Sequence, residues 1–263
     1  MSKAEQQAAS QQRSAVAVCA DPPEDHRLAA TAAKLAAELG LEQIDSQDRP
    51  GTAEILLAVA PDRLELRLVG RRGLPVFANL PKLDTRSQAG RTLRQPLARA
   101  LGLKRRSDLP LKVIDATAGW GEDTWLMASI GCHVLAVERN GIVAAMLHDA
   151  LARAAAADRS TTERISVLTD DAADVLRTVS DIPDVVYLDP MYPTGRKTAE
   201  RKALKVLRTL VGADSDAGDL FAAAIATARK RVVVKRPLRA EPLGGKPTHS
   251  HRGKALRYDV YAC

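Results

Sequence analysis

From Leu111 onward, short apolar runs and longer alanine-rich runs take turns, and this alternation constrains the fold more than any other feature of the chain. Residues 112–116, 133–138, 165–169, 185–188, 231–235 and 256–261 have the length and composition of strands. Between them, residues 121–130, 142–156, 172–179 and 217–228 repeat apolar side chains at helical spacing, and a further helix is expected around 199–211. Such alternation predicts an α/β fold, a mostly parallel sheet with helices on both faces. The 263 residues also leave room for a second, smaller unit.

The preceding stretch reads differently. Residues 14–20 predict a strand, 26–39 a helix that Gly40 stops, and 52–60 with 63–69 a hairpin turned at Pro61-Asp62. Residues 74–80 add another strand. The expected organisation is a disordered tail over 1–13, a small α+β domain over 14–83, a basic helical connector over 84–110 and the α/β domain over 111–263. In the connector, Leu93, Leu97 and Leu101 share one helical face, and Pro96 kinks that helix or divides it.

The formal charge of +7 favours a polyanionic partner. The three cysteines, Cys19, Cys132 and Cys263, lack metal or disulfide spacing, which fits a reducing, cytoplasmic setting. No apolar run approaches the roughly 20 residues of a membrane helix. His249 and His251 have no nearby cysteine or carboxylate cluster, so no metal is expected there.

Two constellations carry chemistry. In the first, strand 112–116 ends in Asp115-Ala116-Thr117-Ala118-Gly119-Trp120-Gly121-Glu122-Asp123, a small-residue turn opening a helix. Gly119 and Gly121 let the backbone approach a ligand at the carboxyl end of the sheet. Glu138 ends the next strand roughly 20 residues on, the distance at which an acid accepts from ribose hydroxyls. Asp170 and Asp171 end the third strand, placed to accept from an adenine amino group. Asp115, Glu122 and Asp123 crowd the turn with negative charge. That suits a ligand bearing a sulfonium and an α-ammonium, as S-adenosylmethionine does, and not a pyrophosphate.

The second is Asp189-Pro190-Met191-Tyr192 after strand 185–188. It resembles the (Asn/Asp)-Pro-Pro-(Tyr/Phe) motif of methyltransferases that act on exocyclic amino nitrogens. Such a nitrogen is a poor nucleophile because its lone pair is delocalised into the ring. A carboxylate at Asp189 and the backbone carbonyl of Pro190 would accept its two N–H groups and favour a pyramidal nitrogen, which is positioning plus electrostatics. Tyr192 would stack on the target base.

The stretches DATAGWGEDTWLMASIGCHVLAVERN, VVYLDPMYP, RVVVKRP and RYDVYA resemble the RsmJ family, bacterial guanine-N2 methyltransferases of 16S ribosomal RNA with a Rossmann-like class I fold. The resemblance covers roughly residues 86–263. It implies a seven-stranded-type sheet and a cofactor site lined by Glu122, Asp123, Glu138, Arg139, Asp170, Asp171 and Asp189. Where the family pattern has arginine and serines, this chain carries Glu122, Asp170 and Asp171. The resemblance also implies 16S ribosomal RNA or the small subunit as partner, with no membrane and no obligate protein partner.

Positive charge flanks the second constellation. Arg196, Lys197, Arg201, Lys205 and Arg208 follow it, Arg91 and Arg94 lie in the connector, and Lys235 and Arg236 end a strand. All are candidates for phosphate contacts. Two other functions remain open on the residues alone: adenine-N6 methylation of RNA or DNA, and RNA binding with a vestigial cofactor pocket.

Overall fold

The computed structural model describes residues 15–45, 50–70, 75–80, 93–191 and 216–263. Backbone contacts divide these into two compact units, one ending at Ala78 and one beginning at Asn79.

In the first unit, β1 (Val16–Ala20), β2 (Glu42–Gln43), β3 (Ile55–Val59) and β4 (Leu64–Leu68) form a sheet in the order β2-β1-β3-β4. β1 runs parallel to both neighbours, and β3–β4 is the antiparallel hairpin expected at Pro61-Asp62. Helix α1 (His26–Leu39) starts where the Asp25 side chain accepts from the Arg27 and Leu28 N–H groups and stops at Gly40, in the left-handed region. Leu28, Ala32 and Ala36, four residues apart, are its buried stripe. Around Val76 the expected strand reduces to a single bridge with Leu66.

In the second unit, seven strands lie in the order β10-β11-β9-β8-β5-β6-β7. They are β5 (Lys112–Asp115), β6 (His133–Val137), β7 (Ile165–Leu168), β8 (Val185–Leu188), β9 (Arg231–Pro237), β10 (His249–Arg252) and β11 (Leu256–Ala262). β5 to β9 are mutually parallel, and β11 runs against both β9 and β10. β8 is buried at every residue, as a strand covered on both faces must be.

The helices are α2 (Pro96–Ala100), α3 (Glu122–Ile130), α4 (Gly141–Ala155), α5 (Arg159–Thr162), α6 (Ala172–Thr178) and α7 (Ala217–Thr227). Pro96 begins α2 and does not kink it, because the first turn has no use for the N–H that proline lacks. One core packs Leu97, Leu101, Met127 and Ile130 on the inward face of Val113, Tyr187, Val233 and Tyr258. On the other face Ile114, Val186, Val232 and Tyr261 meet α6 and α7. The expected helix over 199–211 lies outside the described residues.

Candidate active site

The chain leaves β5 toward β6 on one side and β8 on the other. That reversal opens a crevice at the carboxyl ends of the strands, where ligands bind in open α/β sheets. Gly119 and Gly121 have φ of 52° and 76°, the left-handed region that a turn this tight requires. Glu138, just past β6, is buried and pins the turn. One carboxylate oxygen accepts from the Gly119 N–H at 2.9 Å and the other from the Asn140 N–H at 2.8 Å.

Asp115 lies beneath the turn at 1% exposure. It accepts from the Thr124 hydroxyl at 2.5 Å and the Thr117 N–H at 3.2 Å. The expectation that it lines the cofactor site gives way to a supporting role, because its carboxylate is spent on the turn and on α3. Burial, reinforced by the charges of Asp123 and Asp189, pushes its pKa up to about 7. An acid whose folded pKa lies above its unfolded value holds more protons when folded, so stability falls as pH rises from about 4 to about 7. Asp115→Asn should flatten that decline in thermal melts between pH 5 and pH 8. An unchanged slope would place the titration elsewhere.

Past β8, Asp189 is held at two points. Its N–H donates to the Thr117 hydroxyl at 2.6 Å, and its Oδ2 lies 2.9 Å from the Lys235 Nζ. The same ammonium lies 2.7 Å from Oδ2 of Asp123 in the first turn of α3, and that oxygen also accepts from the Tyr187 hydroxyl at 2.6 Å. Burial opposes the charge on Lys235, but the two carboxylates outweigh it and hold the ammonium above its ordinary pKa. Burial and the same carboxylates raise the Tyr187 phenol well above its ordinary value.

Several expected roles therefore change. Lys235 is no phosphate contact, since two carboxylates already neutralise it. Arg236 points to the opposite face of β9, is 6% exposed and donates to the Glu241 carbonyl, so it offers no surface charge either. Asp123 anchors Lys235 and Tyr187. Asp171 caps α6, accepting from the Ala173 and Asp174 N–H groups, while Asp170 beside it is exposed. Glu122 is exposed at the start of α3, Arg139 pairs with Asp216 at 2.7 Å, and Arg94 is exposed. Pro190 is buried behind Asp189. Tyr192, Arg91, Arg196, Lys197, Arg201, Lys205 and Arg208 lie outside the described residues.

Thr117, Thr124, Tyr187 and Tyr258 belong to the site and were not among the expected residues. A tyrosine inside the otherwise aliphatic run Val185–Leu188 was the available signal, because a buried phenol needs a partner.

The residues present fit S-adenosylmethionine. The turn is bare at Gly119, Gly121 lets it pack over Leu147, and the acids Glu122 and Glu138 suit cationic and hydroxyl groups. Trp120 Nε1 is buried without a hydrogen-bond partner among the described residues, a donor suited to a ligand acceptor.

Fold and site together define a class I S-adenosylmethionine-dependent methyltransferase. A family model described as a putative SAM-dependent methyltransferase matches residues 34–263, reaching well into the first unit. The ribosomal RNA small subunit methyltransferase J of Proteus mirabilis is 42% identical over 220 residues, 81% of this chain and 88% of that protein. Its counterpart in Thioalkalivibrio sulfidiphilus is 51% identical over 173 residues, 64% of this chain and 67% of that protein. A SAM-dependent methyltransferase from Neisseria gonorrhoeae has a crystal structure with TM-score 0.70 and 29% identity, over 94% of this chain and 95% of that one. The chain belongs to the ribosomal RNA small subunit methyltransferase J family.

Proposed function

We propose that the enzyme methylates the exocyclic N2 amino group of a guanine in small-subunit (16S) ribosomal RNA, working in the cytoplasm. The observation that carries this reading is the placement of Asp189: its carboxylate stands at the end of β8, where its own backbone N–H donates to Thr117 of the turn proposed to hold the cofactor. S-adenosylmethionine, when bound, supplies a methyl group activated by its sulfonium. Asp189 accepts an N–H of the target amine and steadies the positive charge that grows on nitrogen, while the Pro190 carbonyl takes the second N–H. Tyr192 stacks on the base. The names of the relatives support ribosomal RNA as substrate. Arg91, Arg94, Arg196, Lys197, Arg201, Lys205 and Arg208 are the candidates for its phosphates. None of the described helices is long and apolar enough to cross a membrane.

Labelled methyl transfer to ribosomal RNA lacking its modifications tests the assignment. Digestion should yield N2-methylguanosine. N6-methyladenosine would establish the adenine alternative, and no transfer by folded, cofactor-loaded protein would leave an RNA-binding role.

Glu138 is proposed to accept from the cofactor's ribose in addition to pinning Gly119. Glu138→Ala removes charge-assisted bonds worth on the order of 1.5–3 kcal/mol, so cofactor affinity should fall roughly 10- to 100-fold. An unchanged dissociation constant by calorimetry would take Glu138 out of the site.

A further inference from the structure

Lys235, Tyr258 and His251 form one row across three neighbouring strands, since Tyr258 pairs with both others. The row sits at the level of Asp189, which follows Leu188, the partner of Val234. Along this row the titratable groups facing Asp189 among the described residues come from five elements. They are Lys235 on β9, Asp123 on α3, Asp115 on β5 and the phenols Tyr187 and Tyr258 on β8 and β11. Two carboxylates, Asp123 and Asp189, thus share the Lys235 ammonium, and Asp115 lies close enough to both to feel their charge. Lys235 is 22% exposed in its side chain, so its attraction for Asp189 is only weakly screened.

We propose that Lys235 is the positioning residue of the methyl-transfer site: by gripping Oδ2 of Asp189 and Oδ2 of Asp123 at once, it holds Asp189 ionised and aimed at the target amine. This rests on the assignment of Asp189 as acceptor of that amine. Without the ammonium, Asp189 would lose the cation that it shares with Asp123 while still facing that carboxylate. It would then take up a proton or swing toward water, and a protonated carboxyl is a poor acceptor for an N–H that is turning cationic. Asp123 belongs to the same device. Its place in the first turn of α3 ties the cofactor helix to the acceptor through one shared cation.

The test compares Lys235→Met with the wild type under single turnover on unmodified ribosomal RNA, with the product nucleoside identified in every reaction. The rate should fall at least ~10-fold, with cofactor affinity and RNA half-saturation within about three-fold of normal, as for an interaction that strengthens toward the transition state. The acid limb of the rate profile should move to higher pH, because losing the ammonium raises the pKa of Asp189. In an Asp189→Asn background, Lys235→Met should cost less than about two-fold, since a residue acting through Asp189 has nothing left to act on. Lys235→Arg should restore part of the rate and the normal acid limb. If Lys235→Met does not fold, Lys235→Gln, which keeps a donor for both carboxylates but no charge, should show the same shift of the acid limb. A full loss in the Asp189→Asn background, or an unmoved acid limb, would overturn the proposal. The product nucleoside separates these outcomes from a wrong base assignment, which would change the product and leave the rate ratios standing.

Discussion

Asp189→Ala should abolish detectable methyl transfer while the protein still folds and binds its cofactor. The carboxylate is only 37% exposed in its side chain and bonded to Lys235, so it is already oriented before substrate arrives. Removing one preorganised electrostatic contact typically costs on the order of 10²–10³ in rate. That loss should fall on the chemical step, because the interaction gains strength as positive charge develops on nitrogen. Asp189→Asn keeps the shape and one acceptor oxygen but loses the charge, so its rate should lie between alanine and wild type. Single-turnover kinetics with calorimetry on the same preparations separates chemistry from binding. Near-normal turnover by Asp189→Ala would dismiss the Asp-Pro-Met-Tyr segment as the catalytic site.

Gly121→Ala should be among the most damaging single-methyl changes in the second unit. At φ of 76° an alanine carries a strain of about 1–2 kcal/mol. Its Cβ would also sit 2.3 Å from Cδ1 of Leu147, which is fully buried on α4 and has little room to retreat. Overpacking of this kind costs about 1–3 kcal/mol, so the two effects together should destabilise by roughly 2–5 kcal/mol. Cofactor affinity should drop as well, since the turn that Glu138 pins would have to move. The diagnostic is Leu147→Ala in the same chain. It removes the clash but not the backbone strain, so the double variant should be more stable than the sum of the two single losses predicts. Strict additivity in denaturant melts would show that Leu147 is not the obstacle.

Much of this arrangement was legible before any coordinates, for identifiable reasons. Buried parallel strands are near-continuous apolar runs, so Val185–Leu188 and the acid after it stood out. Gly40 and Gly131 mark the ends of α1 and α3 because each takes up the positive φ that closes a helix. What stayed hidden depended on partners far away in sequence. β10 consists of His249, Ser250, His251 and Arg252, which carry no apolar alternation. It is a strand because β11 offers it a ladder. Lys235 read as a surface cation because its two carboxylates, Asp123 and Asp189, stand 112 and 46 residues before it in the chain. The five-residue α2 was masked by the longer leucine spacing around it, and only Pro96 marked its true start.

The strand order has a bearing on how the protein is born. A ribosome delivers β5 to β8 well before β9, yet β9 is the strand that closes the open side of β8. Until it emerges, Val185, Val186, Tyr187 and Leu188 form a bare apolar edge, the kind that recruits strands from other chains. The same late strand brings the ammonium that Asp123 and Asp189 share. A nascent or truncated chain ending before residue 231 would therefore be adhesive along one edge and self-repelling at the crevice. Quality control would meet it as an aggregation-prone intermediate, and synthesis of β9 to β11 would relieve both defects in one step.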